Sequence, residues 1–276
     1  MRRDHAPHRA LWPFCVALAL ACTAPASAQI DHGPGGHERA SVSFAAFLTH
    51  RTSEVRLDSG NGAGTDINLE DDLGFDPTLT VARIDGHYWF NERHRLDATY
   101  FQLDRSTPER LVDRTIVFGD KTYAINTNVS GDQSFRIVKF DYTYAFLAPD
   151  RGFLGVTGGL YVSQSKYTLR TAAATGTATQ GVTAPLPVLG LRGEFAFTDR
   201  ITLGGAWQWF GFESDNVDGR LSDFYVGADY RITDRFALGL AYNRVSTSLG
   251  ARKQGGFEGR LSWTYDGTLL YAKLDF

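Results

Sequence analysis

The sequence predicts an all-β fold, a transmembrane antiparallel up-and-down β-barrel of ten strands, with twelve as the alternative. Three observations carry that expectation. Apolar and polar residues alternate with period two in segment after segment, the signature of strands with two unlike faces. Short polar turns alternate with long loops along the chain. The last residues place Leu270, Ala272, Leu274 and Phe276 on one parity, with Tyr271, Lys273 and Asp275 on the other. A chain that ends on its most apolar side chain needs something other than water to cover that face.

The first residues point the same way. Arg2, Arg3 and Arg9 precede the apolar run Leu11 to Leu20, and Ala26-Ser27-Ala28 follows as a small-residue cleavage site. That order reads as a secretory signal peptide over 1–28, too short in its apolar part for a membrane helix. The alternative, a lipid-modified Cys22, is poorly matched by the preceding Ala19-Leu20-Ala21. Both cysteines, Cys15 and Cys22, fall in the removed segment. Disulfides, thiol redox chemistry and cysteine-held metals are therefore not expected. Cleavage removes three arginines and one aspartate and moves the formal charge from −3 to −5. That balance argues against a nucleic-acid partner. No later stretch reaches the roughly 18 apolar residues of a helical span.

A Gly-rich polar tail is expected over 29–39, facing the periplasm, and the barrel over 40–276. Strands are predicted at 40–50, 78–90, 94–105, 132–147, 152–169, 183–197, 200–213, 219–232, 235–247 and 256–276. In the first, Val42, Phe44, Ala46 and Leu48 share a face. In the second, Ala82, Ile84, Tyr88 and Phe90 oppose Arg83, Asp85, His87 and Trp89. Later strands set Phe140, Tyr142 and Tyr144 against Lys139 and Asp141, and Leu189, Leu191 and Phe195 against Arg192 and Glu194. Phe224, Val226 and Tyr230 oppose Asp223, Asp229 and Arg231. In the last strand the apolar parity changes near Tyr265-Asp266-Gly267, where a bulge keeps one strand and an even count. Alternation does not say which face is wet. The leader, Phe276 and the aromatic placement put lipid outside.

Three turns share a formula, FNERHRL from Phe90, FTDRITL from Phe197 and ITDRFAL from Ile232. The opposite connections, 51–77, 106–131, 170–181 and 247–256, are longer, as on the outer side of such barrels. Aromatics gather at the short-turn ends: Tyr88, Phe90, Tyr144, Phe146, Phe195, Phe197, Tyr230, Phe236 and Phe276. They fit an interfacial girdle. Trp207, Trp209, Tyr242, Trp263 and Tyr265 are expected to form a second belt.

On these residues the chain resembles a Gram-negative outer-membrane β-barrel protein over its mature length. The ending, with Leu270, Leu274 and Phe276 on one face, resembles the C-terminal signal recognised by the barrel assembly machinery. The stretch INLEDDLGFDPTLTVARIDGHYWFNERHRLDATYFQLDRS (67–106) is similar to a segment of small outer-membrane proteins. The resemblance implies residence in the outer membrane, contact with its lipid and lipopolysaccharide, and a barrel rather than an activity.

Candidate functional residues follow from the inward parity. Arg83, Asp85, His87, Asp97, Lys139, Asp141, Arg192, Glu194, Asp223, Asp229, Arg231, Glu258, Arg260 and Lys273 are expected in the lumen. There they form either a salt-bridge network filling a narrow barrel or the mixed lining of a small pore. Glu70, Asp71, Asp72 and Asp76 supply oxygen ligands that suit Ca²⁺, but not at EF-hand spacing. A solvated acidic loop is expected, with no metal and no cofactor. His50, placed at the outer rim of the first strand near Thr52 and Ser53, is the candidate general base for a lipid hydrolase. No third catalytic member accompanies it. The expectation is thus a passive structural or narrow-channel barrel rather than an enzyme. A rim-located lipid hydrolase and a loop-mediated adhesin or receptor are the alternatives.

Overall fold

The computed structural model describes residues 38–58, 64–118, 121–171, 177–214, 216–254 and 257–276. The leader, Cys22, His32 and His37 lie outside the described residues. Ten long strands form the wall: β1 (Ala40–Leu57), β3 (Thr78–Asn91), β4 (His94–Leu111), β7 (Asn128–Leu147), β8 (Gly152–Arg170), β9 (Thr177–Ala196), β10 (Ile201–Glu213), β11 (Val217–Thr233), β12 (Phe236–Gln254) and β13 (Phe257–Asp275). Each pairs antiparallel with its neighbour, and β13 returns to β1 from Ser41↔Asp275 to Leu57↔Gly259, closing the barrel. Closure removes the unpaired edges that lipid would not tolerate. A short β2 (Ile67–Asn68) and a hairpin, β5 (Ile116–Phe118) with β6 (Lys121–Tyr123), lie in the long loops.

The even count holds, but not through a bulge in the last strand. β13 pairs without a register shift past Gly267 on both sides, Thr49↔Gly267 and Asn243↔Gly267. What changes there is the chemistry of the two faces. Below that level Leu270 and Leu274 point outward and Lys273 inward; above it Leu261, Trp263 and Tyr265 are buried inside while Arg260 is exposed. The inversion runs around the wall in register. Tyr100, Val138 and Val162 are paired neighbours on the outer face, and one step up Gln102, Arg136 and Gln164 replace them. On β1, Leu48 gives way to His50, opposite Asp266, which pairs in turn with Arg244. The lower half is thus apolar outside and charged inside, as lipid demands. The upper half is polar outside and apolar inside, like a barrel in water.

This explains the strand lengths. Strands of 18 to 20 residues such as β1 and β7 rise about 45 Å at ordinary barrel tilt. An apolar band is about 25 Å tall, so the wall continues well beyond it. The predicted loops 106–131, 170–181 and 247–256 are accordingly shorter. β4 runs on to Leu111, β9 begins at Thr177, and β12 and β13 continue to Gln254 and from Phe257. Gly267 lets β13 press against β1 at the inversion level, since a Cβ there would lie 2.0 Å from the Leu48 carbonyl oxygen.

The three matching turns share one device. Asn91 Oδ1 accepts the amides of Arg93 (2.9 Å) and His94 (3.2 Å). Thr198 Oγ1 accepts those of Arg200 (3.2 Å) and Ile201 (2.9 Å), and Thr233 Oγ1 those of Arg235 (3.4 Å) and Phe236 (3.1 Å). A short polar side chain that captures the amides two and three residues on closes the turn without help from outside it. Both described chain ends meet at this short-turn side, where the Phe276 amide donates to the Ala40 carbonyl at 2.8 Å. Residues 29–37 of the predicted tail lie outside the described residues. Glu38 is buried and ion-paired with Arg231, and the Arg39 carbonyl accepts the Trp89 amide at 2.8 Å.

Candidate functional site

The lumen is filled in three layers. At the short-turn end Trp89 and Phe153 stack edge to face at 4.9 Å, with Ala145 beside them, and the Arg95 guanidinium lies over both rings. Above this floor sits the charged layer. Alternation turns every second residue inward, many of them charged at this level, and the ten-strand diameter brings opposite walls within reach of long side chains.

Side-chain contacts span the lumen in this layer. Arg95 of β4 reaches Glu194 of β9 at 2.5 Å, Lys139 of β7 reaches Asp223 of β11 at 2.6 Å, and Arg83 of β3 donates to Asn243 of β12 at 2.8 Å. Shorter bridges join them. Arg83 binds Asp85 at 2.8 Å, Arg95 binds Asp97 at 2.7 Å, and Arg192 lies 3.1 Å from Asp141 and 3.7 Å from Asp97. Lys273 lies 3.1 Å from Asp229 and 3.6 Å from Asp275. A cavity of about 120 Å³ remains among Arg83, Asp85, His87, Arg192, Asp229 and Lys273. His87 Nδ1 shares a hydrogen bond with Ser41 Oγ at 2.8 Å, while its Nε2 meets no partner among the described residues.

The upper layer is aromatic. Phe47, Phe101 and Tyr265 pack edge to face with centroids 5.6 to 6.2 Å apart, and Phe135 stands 5.5 Å from Trp263. The Tyr161 and Tyr265 hydroxyls bond to each other across the lumen. Trp263 and Tyr265 therefore do not belong to an outer belt. Trp207 and Trp209 do face outward, at 54% and 51% exposure, and Tyr242 reaches Asp266 on the outer face at 3.3 Å.

A cap closes this layer. Segment 64–77 folds into the barrel mouth, burying Ile67, Leu69, Leu73 and Phe75. The β5–β6 hairpin adds Ile116, Phe118 and Tyr123, where burial pushes the Tyr123 phenol up. Beneath the cap lie two buried arginines, Arg51 and Arg105. Arg105 Nη2 pairs with Glu70 at 2.6 Å and donates to Ser53 Oγ at 2.9 Å.

The predicted lumen residues thus converge, with two exceptions. Glu258 and Arg260 lie on the outward parity of β13, because the register of that strand is unbroken through Gly267. The acidic loop does not gather round a point either. Glu70 turns inward to Arg105, Asp72 accepts the Asn68 amide at 2.8 Å and pairs with Arg114 at 2.5 Å, and Asp76 accepts the Thr78 amide at 2.8 Å. Asp71 is exposed. Among the described residues no group of three His, Cys, Asp or Glu side chains is placed to hold a metal.

His50 is not at the strand's rim, since β1 continues seven residues beyond it to Leu57. It points outward, whereas Ser53 points inward and is bound by Arg51 Nε at 2.8 Å. A strand places those two side chains on opposite faces, so His50 does not activate Ser53. Arg51, Arg95 and Arg105 are the site residues that sequence reasoning missed. Their signal was present, since Arg51, Ser53, Val55 and Leu57 continue the inward parity of β1.

No family model matches the sequence, and no curated protein matches it. Solved structures do. The outer membrane protease OmpT of Escherichia coli is similar at 12% identity and a TM-score of 0.50, covering 86% of this chain and 96% of that one. The translocator domain of the autotransporter NalP from Neisseria meningitidis gives 12% identity and 0.39, covering 86% and 88%. Ail of Yersinia pestis gives 11% and 0.36, covering 84% and 99%. With its wall closed, its faces inverted at one level and its lumen described, the chain has the fold of the Gram-negative outer-membrane β-barrel proteins, built from ten antiparallel strands.

Proposed function

We propose that the protein is a non-conducting outer-membrane barrel with a passive, structural role, holding a folded cap at the cell surface. The observation that carries this reading is the filled lumen: an aromatic layer above a layer of lumen-spanning ion pairs, among which a cavity of about 120 Å³ remains. A conducting pore needs a continuous aqueous path, and each of these layers interrupts it. On this reading the short-turn end faces the periplasm and the cap faces outward. Phe276 with Leu270 and Leu274 then serves the assembly machinery, and the apolar band rests in lipid with lipopolysaccharide at its upper edge. No catalytic role is assigned. His50 faces that edge with Asp266 opposite, while Ser53 turns inward to Arg51.

The test is single-channel recording of the refolded mature barrel in a planar bilayer, beside a sham-refolded control. Silence from barrels shown to be inserted supports the proposal. Discrete, reproducible steps refute it and restore the narrow channel. A second reading, a loop-mediated adhesin or receptor, is favoured by Leu111 and Ile125, two large apolar side chains left 58% and 53% exposed at the cap end.

A further inference from the structure

The charge beneath the cap does not balance. Arg51 and Arg105 are 1% and 7% exposed, yet the carboxylate within ion-pair distance among the described residues is that of Glu70, and it pairs with Arg105. Arg51 is held by Ser53 Oγ at 2.8 Å and lies 4.0 Å above the Phe135 ring, while its Nη2 meets no partner. Tyr167, close to Arg51, hydrogen-bonds to Gln133, its paired neighbour across β7 and β8. An orphaned donor and a cation in excess, above the aromatic layer and beneath the cap, make an anion receptor that is short of its anion.

The cap segment shows what shape fits. Glu70 brings its carboxylate in beside Leu69, Leu73 and Phe75, and its Oε2 accepts the Ser53 amide at 2.7 Å. The segment thus enters the mouth as one carboxylate on an apolar body.

We propose that this mouth is a binding site for an amphipathic monocarboxylate, an apolar or aromatic body carrying one carboxylate, and that residues 69–75 occupy it as a tethered substitute. The incoming carboxylate takes the place of Glu70 at Arg105 and also reaches Arg51, Gln133 and Tyr167. Its body takes the place of Leu69, Leu73 and Phe75 on the aromatic layer. The charged layer below stays in place, so binding does not open the lumen. The site therefore goes beyond the structural role and stands or falls separately from it. Conductance tests that role; ligand binding tests this.

The experiment titrates the refolded mature protein in detergent micelles with 3-phenylpropionate, using 3-phenylpropanol as the uncharged control, by calorimetry. Glu70→Gln removes the tethered carboxylate and is expected to tighten 3-phenylpropionate at least tenfold over the wild type. Arg51→Met in that background is expected to lose the gain. Should either variant fail to fold, hydrogen exchange on the wild type decides. Saturating 3-phenylpropionate is expected to speed exchange at the Leu69 and Phe75 amides, which otherwise donate to Ser53 at 3.0 Å and to Leu69 at 3.0 Å. Equal binding of the alcohol, no tightening in folded Glu70→Gln protein, or unchanged exchange at saturation would each overturn the proposal.

Discussion

Lys139→Met tests whether the lumen-spanning contacts hold the wall together. Lys139 is 8% exposed and its ammonium stands between two carboxylates, Asp223 at 2.6 Å and Asp141 at 3.4 Å. Methionine keeps the length and apolar stem but leaves both acids without their cation. Breaking one side of a buried pair costs about 3–5 kcal/mol, because the remaining charge stays desolvated. Here the acids retain other donors, Asn243 Nδ2 on Asp223 at 2.7 Å and Arg192 Nη2 on Asp141 at 3.1 Å. The expected cost is therefore at the lower end, about 3 kcal/mol. Neutralising the orphan as well, in Lys139→Met with Asp223→Asn, leaves a polar group that Asn243 still partly satisfies. That double variant is expected to cost about 1–2 kcal/mol, the worth of an imperfect hydrogen bond. It is thus more stable than the single variant despite carrying one more substitution. Reversible urea unfolding of the refolded barrel in micelles, followed by tryptophan fluorescence, measures both. A single variant within about 1 kcal/mol of wild type, or a double variant no better than the single, would refute the reasoning.

Four further outcomes are expected. Trp263→Ala, which opens a hole in the aromatic layer, costs about 3–5 kcal/mol in the same assay yet leaves planar bilayers silent, because the charged layer remains. Gly267→Ala, whose Cβ would meet the Leu48 carbonyl oxygen at 2.0 Å, costs about 1–3 kcal/mol or more. Gly211→Ala, with nothing within 4 Å, stays within about 0.5 kcal/mol and serves as its control. Removing Phe276, 63% exposed, changes the stability of refolded protein by less than about 1 kcal/mol but lowers the yield of folded barrel in cells, read by heat-dependent gel mobility. His50→Ala leaves lipid release from vesicles at background, and a loss of measurable release in that variant would instead establish catalysis.

Much of the barrel was legible because lipid imposes a rule that one residue can obey. An outward side chain in the apolar band has to be apolar, so Phe140, Tyr142 and Tyr144 declare their parity and their neighbours Lys139 and Asp141 declare the opposite one. The turns were legible for an equally local reason, since Asn91, Thr198 and Thr233 close them with their own side chains. Where the wall leaves the band, the rule reverses without any break in the backbone. On β13 the same period of two carries Leu270 outward and Trp263 inward, and alternation alone reads that as a slip of one residue. The two accounts predict different partners. A bulge would shift β13 by one against β1 above Gly267, whereas unbroken register pairs His50 with Asp266 and Ser53 with Trp263.

The misplacement of Glu258, Arg260, Trp263 and Tyr265 follows from that one choice, and so does the oversight of Arg51. The missing knowledge was a level rather than a motif. That level is set by thickness: about 25 Å of apolar band on strands that rise about 45 Å. Any strand in such a chain longer than the band can carry is therefore expected to invert its faces, with the switch aligned across register partners. Here the alignment of Leu48 and His50 with Thr268 and Asp266 on β13 and with Tyr242 and Arg244 on β12 marks it. The consequence for function is that the upper lumen folds by the hydrophobic effect in water rather than by exclusion from lipid. A cap can then pack into it, and Glu70 can bring a carboxylate to two arginines that the membrane half of the barrel never had to accommodate.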